Sequence, residues 1–119
     1  MYSKEIIKSQ IEQFVKVAQH VSDTEHADAI AKHGESFRYY FNVKYGKRYA
    51  NVYWHQQDKN GEIYTRSAYA FVDLNTGNIM GSDGWGVPNK RMDGRRGNVI
   101  NLNAAIPFIG PYSIRGPNK

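Results

Sequence analysis

The sequence contains no cysteine. That absence excludes a disulfide framework, a thiolate metal centre and a cysteine nucleophile. No apolar run approaches the ~20 residues needed to span a bilayer, so no membrane partner is expected. Histidine is sparse: His20, His26, His33 and His55. None of them forms an H-E-x-x-H pattern or a histidine-rich triad. His26 and His33 would stand two helical turns apart, too far for one ion, so no metal and no cofactor is expected. The G-x-S-x-G elbow, a close carboxylate pair and the phosphate-cradling GxxxxGK[ST] pattern are also missing. His55 with Asp58 or Glu62 is the one acid–base pairing available, and it reads as surface. The expectation is that the protein is not an enzyme. A helix-turn-helix pattern and an RNP motif are lacking too. The first residues, Met1-Tyr2-Ser3-Lys4-Glu5, have neither the apolar core nor the cleavage site of a signal peptide, which predicts a cytoplasmic protein.

What is present describes one folded domain over residues 1–119. Apolar residues make up 40% and charged residues 23%, and the net charge is +5. The excess charge is unevenly placed. Residues 1–80 hold 10 basic and 9 acidic residues, and residues 81–119 hold 6 basic and 2 acidic. The last third also holds 7 of the 11 glycines and all 4 prolines. Three regions follow: a helical part (1–34), a β-meander (35–80), and a basic loop with an extended tail (81–119).

Ile7, Ile11, Phe14, Ala18 and Val21 recur at three- and four-residue spacing, with Lys4, Lys8, Glu12 and Lys16 on the other side. This predicts an amphipathic helix with Ser3 as its N-cap. Ser22-Asp23-Thr24-Glu25 has the form of a capping box and predicts a second helix, ended by Gly34. From Ser36 the period becomes 2. Phe37, Tyr39, Phe41, Val43 and Tyr45 form the inward side of a first strand. Gly46-Lys47 reverses the chain. Arg48 to Gln56 is a second strand, with Ala50, Val52 and Trp54 on one side and Tyr49, Tyr53 and His55 on the other. Asp58-Lys59-Asn60-Gly61 predicts a type I′ hairpin turn. Ile63 to Asp73 is a long third strand, and Leu74-Asn75-Thr76-Gly77 turns into a short fourth, Asn78 to Met80. The fold class is therefore α+β, with two N-terminal helices packed on an antiparallel three- or four-stranded meander and an irregular Gly/Pro-rich C-terminal third. Gly81 to Gly86 is expected to be irregular. Val99 to Leu102 would be a last short strand, and Ile106 to Tyr112 an extended tail that wraps the domain or docks on a partner chain.

Ala70-Phe71-Val72-Asp73, then Thr76-Gly77, then Trp85 with Pro88, then Arg96-Gly97-Asn98-Val99 occur in that order. The series resembles an AFVD-x-x-TG-x-I hairpin followed by W-x-x-P and RGN elements in small tailed-bacteriophage proteins of unassigned function. It covers residues 68–100. It implies a viral origin and no particular chemistry. The Lys90-to-Gly94 stretch is longer and more basic than that pattern.

The functional reading rests on Lys90, Arg91, Arg95 and Arg96 with Gly97 and Asn98. Guanidinium forks and glycine-flanked N–H groups suit phosphate oxygens. As an alternative, the loop is merely solvated, with Arg96 bracing Asp73. Trp85 is either a lid on the sheet or a stacking platform. Tyr53 belongs to the second aromatic row, which either stacks bases or is ordinary strand surface. The expected protein is a non-enzymatic bacteriophage accessory protein. It would bind a phosphate-bearing ligand, nucleic acid or nucleotide, by sequestration in the host cytoplasm. The alternative is a virion component that docks on further copies or on virion subunits through its proline-containing tail.

Overall fold

The computed structural model describes residues 3–84, 87–88, 97–111 and 114. Helix α1 runs Lys4–Glu25, and Ser3 caps it by accepting the Ile6 N–H at 3.2 Å. Ile7, Ile11, Phe14 and Ala18 are fully buried along one stripe. The stripe continues through Ser22, while Val21 is only half-buried. That placement removes the expected capping box. A cap must leave helical geometry, and Ser22 is packed inside α1, its hydroxyl 3.3 Å from His26 Nδ1. Helix α2 (Ala27–His33) starts instead after His26, with no side-chain cap. Gly34 ends it at φ 88°, donating its N–H to Ile30 O at 2.8 Å.

A 3-10 turn over Glu35–Phe37 delays the first strand. Phe37, expected inward, is 45% exposed and rests against the His33 ring at 4.8 Å. The strands are β1 (Tyr40–Tyr45), β2 (Tyr49–Gln57), β3 (Ile63–Asp73) and β4 (Ile79–Met80). They pair antiparallel in sequence order, giving a four-stranded meander. Phe41, Ala50, Val52, Ala70, Val72 and Ile79 form one core with the α1 stripe. A bulge between Val52 and Tyr53 leaves Tyr69 unpaired and turns it into that core. Its ring lies 5.0 Å from Phe41 and 6.2 Å from Phe14.

β1 is an edge strand, and α1 protects it. Gln19 Oε1 accepts the Phe41 N–H at 2.9 Å, and Gln19 Nε2 donates to Tyr39 O at 2.7 Å. One side-chain amide thus does what a neighbouring strand would do. The β2–β3 turn has positive φ at Gly61 alone. It is therefore a type I turn closed by glycine, not the expected type I′. Asp58 Oδ1 fixes it by accepting the N–H groups of Asn60 and Glu62 at 2.9 and 3.0 Å.

The described part of the last third is more regular than its composition implies. Ser82–Gly84 (β5) and Val87–Pro88 (β6) pair as a small hairpin. Val99–Asn101 is a 3-10 turn, not a strand, because Asn98 caps it: Asn98 Oδ1 accepts the Ile100 N–H at 2.8 Å. Helix α3 (Leu102–Ala105) and a 3-10 turn over Ile106–Phe108 follow. Pro107 sits in the first turn, where its missing N–H breaks no helical bond. The tail is thus helical to Phe108, not extended. Ile109 then enters the core at 4% exposure.

Candidate functional site

α1 covers one face of the sheet. The other face is built from the alternate residues. Register places Tyr40 opposite His55 and His55 opposite Arg66. The next row is Asn42, Tyr53 and Ala68, and after the bulge comes Lys44, Asn51, Phe71 and Met80. Phe71 and Met80 are buried yet stand outside the α1-side core. The β5–β6 hairpin follows Met80 and packs on β3 at this end. Tyr40, Asn42, Tyr53 and His55 are half-buried, and Arg66 is exposed.

The far row is pre-arranged. The Tyr40 and His55 rings stack at 5.4 Å with 19° between planes. Asn42 Nδ2 donates to His55 Nδ1 at 2.8 Å and to Tyr40 O at 3.0 Å. A donor at Nδ1 leaves the proton of the neutral imidazole on Nε2. Arg38 lies 5.1 Å from the Tyr40 ring centre. Its guanidinium is already committed, because Nε and Nη2 each bond Asp23 at 3.0 Å. That hydrogen-bonded carboxylate holds the Arg38 pKa above its ordinary value, against the opposing effect of burial. Arg38 therefore braces the row and is not a mobile cation.

The other end is a groove of ≈ 360 Å³ beside the β1–β2 hairpin, where Lys44, Lys47, Tyr49, Asn51, Phe71 and Pro88 are among the lining residues. Arg48, also in the lining, bonds Asp73 at 3.3 Å and lies 5.5 Å from the Tyr49 ring centre. Asp73 is 1% exposed, and its other oxygen accepts the Asn75 N–H at 2.8 Å. Among the described residues, Arg48 is the cation that pairs with Asp73, and Arg96 lies outside them. Asn51 Oδ1 is buried and has no hydrogen-bond partner among the described residues. Such an orphan acceptor costs about 1–3 kcal/mol.

Lys90, Arg91, Arg95, Arg96 and Trp85 lie outside the described residues. Gly97, Asn98 and Tyr53 lie within them, but not together. Asn98 bridges Asn78 beside β4, whereas Tyr53 is in β2 with β3 between them. The Asn98 side chain holds the 76–78 turn, with Nδ2 donating to Thr76 O and Asn78 Oδ1, both at 2.8 Å. Gly97 has φ 92°, and a Cβ there would sit 2.8 Å from Ala105 Cβ. The glycine and asparagine of the RGN element therefore close the fold. Asn42 and Asn51 are site residues that motif reading passes over. Their signal was composition, since asparagine is a poor strand former and two stand in the middle of strands on one face.

Among the described residues, no helix is long and apolar enough to cross a membrane. No curated protein and no solved structure matches the chain. A family model described as "Family of unknown function (DUF7717)" matches residues 1–105, which takes in α1, α2, α3, the four-stranded sheet and the Gly97–Asn98 closure, and the chain belongs to that family.

Proposed function

We propose that the protein binds a phosphate-bearing ligand, nucleic acid or nucleotide, on the sheet face that α1 leaves uncovered. The observation that carries this reading is the pair of aromatic rows on that face: Tyr40 stacked on His55, with Tyr53 in the next row. Bases stack on such side chains without regard to sequence, and basic residues beside them take the phosphates. Arg66 borders one row, and Lys44 lies one row beyond Tyr53. The net charge of +5 supports the same ligand class. Lys90, Arg91, Arg95 and Arg96 are assigned to phosphate on charge alone, and Trp85 to stacking. Gly97 and Asn98 would contribute through backbone N–H groups, the Asn98 side chain being engaged elsewhere.

The protein acts by holding its ligand and not by transforming it. The resemblance to tailed-phage proteins supports a setting in the infected host, where a binder sequesters a nucleotide signal or masks a nucleic-acid target. Assembly on virion subunits through the tail has weaker support, because Ile109 is spent in the protein's own core. The test is fluorescence anisotropy of labelled single-stranded oligonucleotides at roughly 50 mM salt, where phosphate contacts are strong. Tyr53→Leu should weaken binding about tenfold, the loss of one stacked base. Absence of any association by the wild-type protein with oligonucleotides or mono-, di- and cyclic nucleotides overturns the reading.

A further inference from the structure

The Tyr40–Asn42–His55 cluster on the open face holds a fixed donor that no described residue uses. Tyr40 O can only accept, so the Asn42 amide that bonds it at 3.0 Å must present Nδ2 there. The same Nδ2 donates to His55 Nδ1 at 2.8 Å. A ring nitrogen that accepts carries no proton, so the neutral imidazole carries its proton on Nε2. Among the described residues, nothing accepts that N–H and nothing donates to Asn42 Oδ1. Among them, too, the one buried side-chain polar atom without a partner is Asn51 Oδ1, so His55 Nε2 and Asn42 Oδ1 both reach solvent. The two side chains are half-buried, on neighbouring strands and one row apart. The imidazole is also held in place. Tyr40 stacks on it at 5.4 Å, and Arg38, locked on Asp23, lies 5.1 Å from the Tyr40 ring centre.

An open donor and an open acceptor on two bonded side chains suit a ligand group that offers both. Phosphodiester oxygens only accept, so they would leave Asn42 Oδ1 unanswered. The edge of an unpaired base carries an N–H or amino donor beside a carbonyl or ring-nitrogen acceptor. Resting on the open-face reading above, we infer that His55 and Asn42 read the base edge. His55 Nε2–H donates to a carbonyl or ring nitrogen of the base, and Asn42 Oδ1 accepts from its N–H or amino group. Asn42 is also a positioning residue, because its Nδ2 sets the His55 tautomer. Tyr53, in the row of Asn42, supplies stacking. His55 therefore determines which base is preferred and is more than a platform.

The experiment is anisotropy titration of the full chain with labelled homo-oligomers of dA, dC and dT, at about pH 8, where an ordinary imidazole is neutral. Wild type should separate the three affinities. His55→Phe keeps an aromatic ring and removes the donor. It should weaken the best-bound oligomer about tenfold, the loss of one hydrogen bond, and bring the three affinities together. His55→Gln, whose amide N–H has a similar reach, should lie between wild type and His55→Phe. Any other order overturns the inference. If His55 only stacks, His55→Phe binds at least as well as wild type and His55→Gln is the weaker variant. An equal loss on all three oligomers also overturns it, because the acceptor would then be on the backbone. In those cases, binding that is lost in Tyr53→Leu leaves the open-face reading standing. No association by wild type removes both. A proton–nitrogen correlation spectrum of the unliganded wild-type protein depends on no variant. It should show the His55 proton on Nε2, and a proton on Nδ1 instead overturns the inference. In Asn42→Asp, whose carboxylate accepts, a proton should appear on Nδ1. An unchanged spectrum there would take the positioning role from Asn42.

Discussion

Asn98 Nδ2 donates to Asn78 Oδ1 at 2.8 Å across the bridge that joins the RGN segment to the edge of the sheet. The same side chain donates to Thr76 O and accepts the Ile100 N–H, each at 2.8 Å. At about 1 kcal/mol net for each bond, Asn98→Ala should cost about 2–3 kcal/mol. Asn98→Asp keeps the acceptor and loses the donors, so it should fall between wild type and alanine. Urea unfolding midpoints at constant slope would check both.

Two glycines with nearly the same φ separate backbone strain from crowding. Gly61 has φ 85° and nothing within 4 Å of a built Cβ, whereas Gly97 has φ 92° and Ala105 Cβ at 2.8 Å. Gly61→Ala should cost roughly 1 kcal/mol, the price of an alanine at positive φ. Gly97→Ala should cost at least about 1–3 kcal/mol more, from overpacking. Adding Ala105→Gly to the second variant should recover only part of the steric cost, since Ala105 Cα would still stand at 3.1 Å, and none of the backbone cost. A double-mutant cycle showing no coupling would contradict the assigned contact.

Phe14 tests the helix-on-sheet layer. It is fully buried, and its ring is 6.2 Å from that of Tyr69. Phe14→Ala should cost about 3–5 kcal/mol, from lost transfer energy and the cavity left behind. A loss within ~0.5 kcal/mol would be the behaviour of a surface site.

What the sequence revealed and what it hid divide along local and non-local physics. The Ile7/Ile11/Phe14/Ala18 stripe and the alternation Ala50/Val52/Trp54 were legible because each is a periodicity within one element. The two faces of β2 were legible for the same reason, and so was the row containing Tyr53. The capping box at Ser22 misled because Ser22 lies on the buried stripe of a helix that runs on to Glu25. Tyr69 reads as one more alternating residue, and only the bulge turns it inward. Asn98 hides its part because its partners, Thr76 and Asn78, lie about twenty residues away. Arg48 on Asp73 was hidden likewise, being twenty-five residues distant. The hairpin groove is assembled from β1, β2, β3 and β6, and no single stretch of sequence carries it.

Tyr45 links α1 to the sheet in a way that alkali can break. Its hydroxyl donates to Glu12 Oε2, and Lys8 lies over its ring at 5.3 Å. Desolvation chiefly, with the Glu12 carboxylate next, pushes the phenol well above its ordinary value near 10. A raised folded-state value means that the neutral phenol favours the fold. Its contribution is fully present below pH ~10 and is lost as pH rises from there through the folded value. Ultraviolet titration should therefore show a tyrosine that ionises well above the ordinary range. In Tyr45→Phe that late step should vanish, and the stability loss between pH 10 and higher pH should shrink. Because Tyr45 is 36% exposed, the change at neutral pH should be small.

Stacking and charge on the open face make separable demands on salt. Each phosphate neutralised on a single strand adds about −0.7 to the slope of log K against log salt concentration. Arg66 stands opposite His55, at the end of the row in which Tyr40 and His55 stack. If Arg66 meets a phosphate, Arg66→Ala should make the slope shallower by about 0.7. Tyr53 carries no charge and should contribute by stacking alone. Tyr53→Leu should therefore lower affinity by about 1–3 kcal/mol at every salt concentration and leave the slope unchanged. Anisotropy titrations of one oligonucleotide at four or five salt concentrations, for wild type and both variants, give the two slopes and the offset directly. Parallel lines for all three proteins would take phosphate contact away from Arg66. A changed slope in Tyr53→Leu would mean that the ring positions a cation instead of carrying a base.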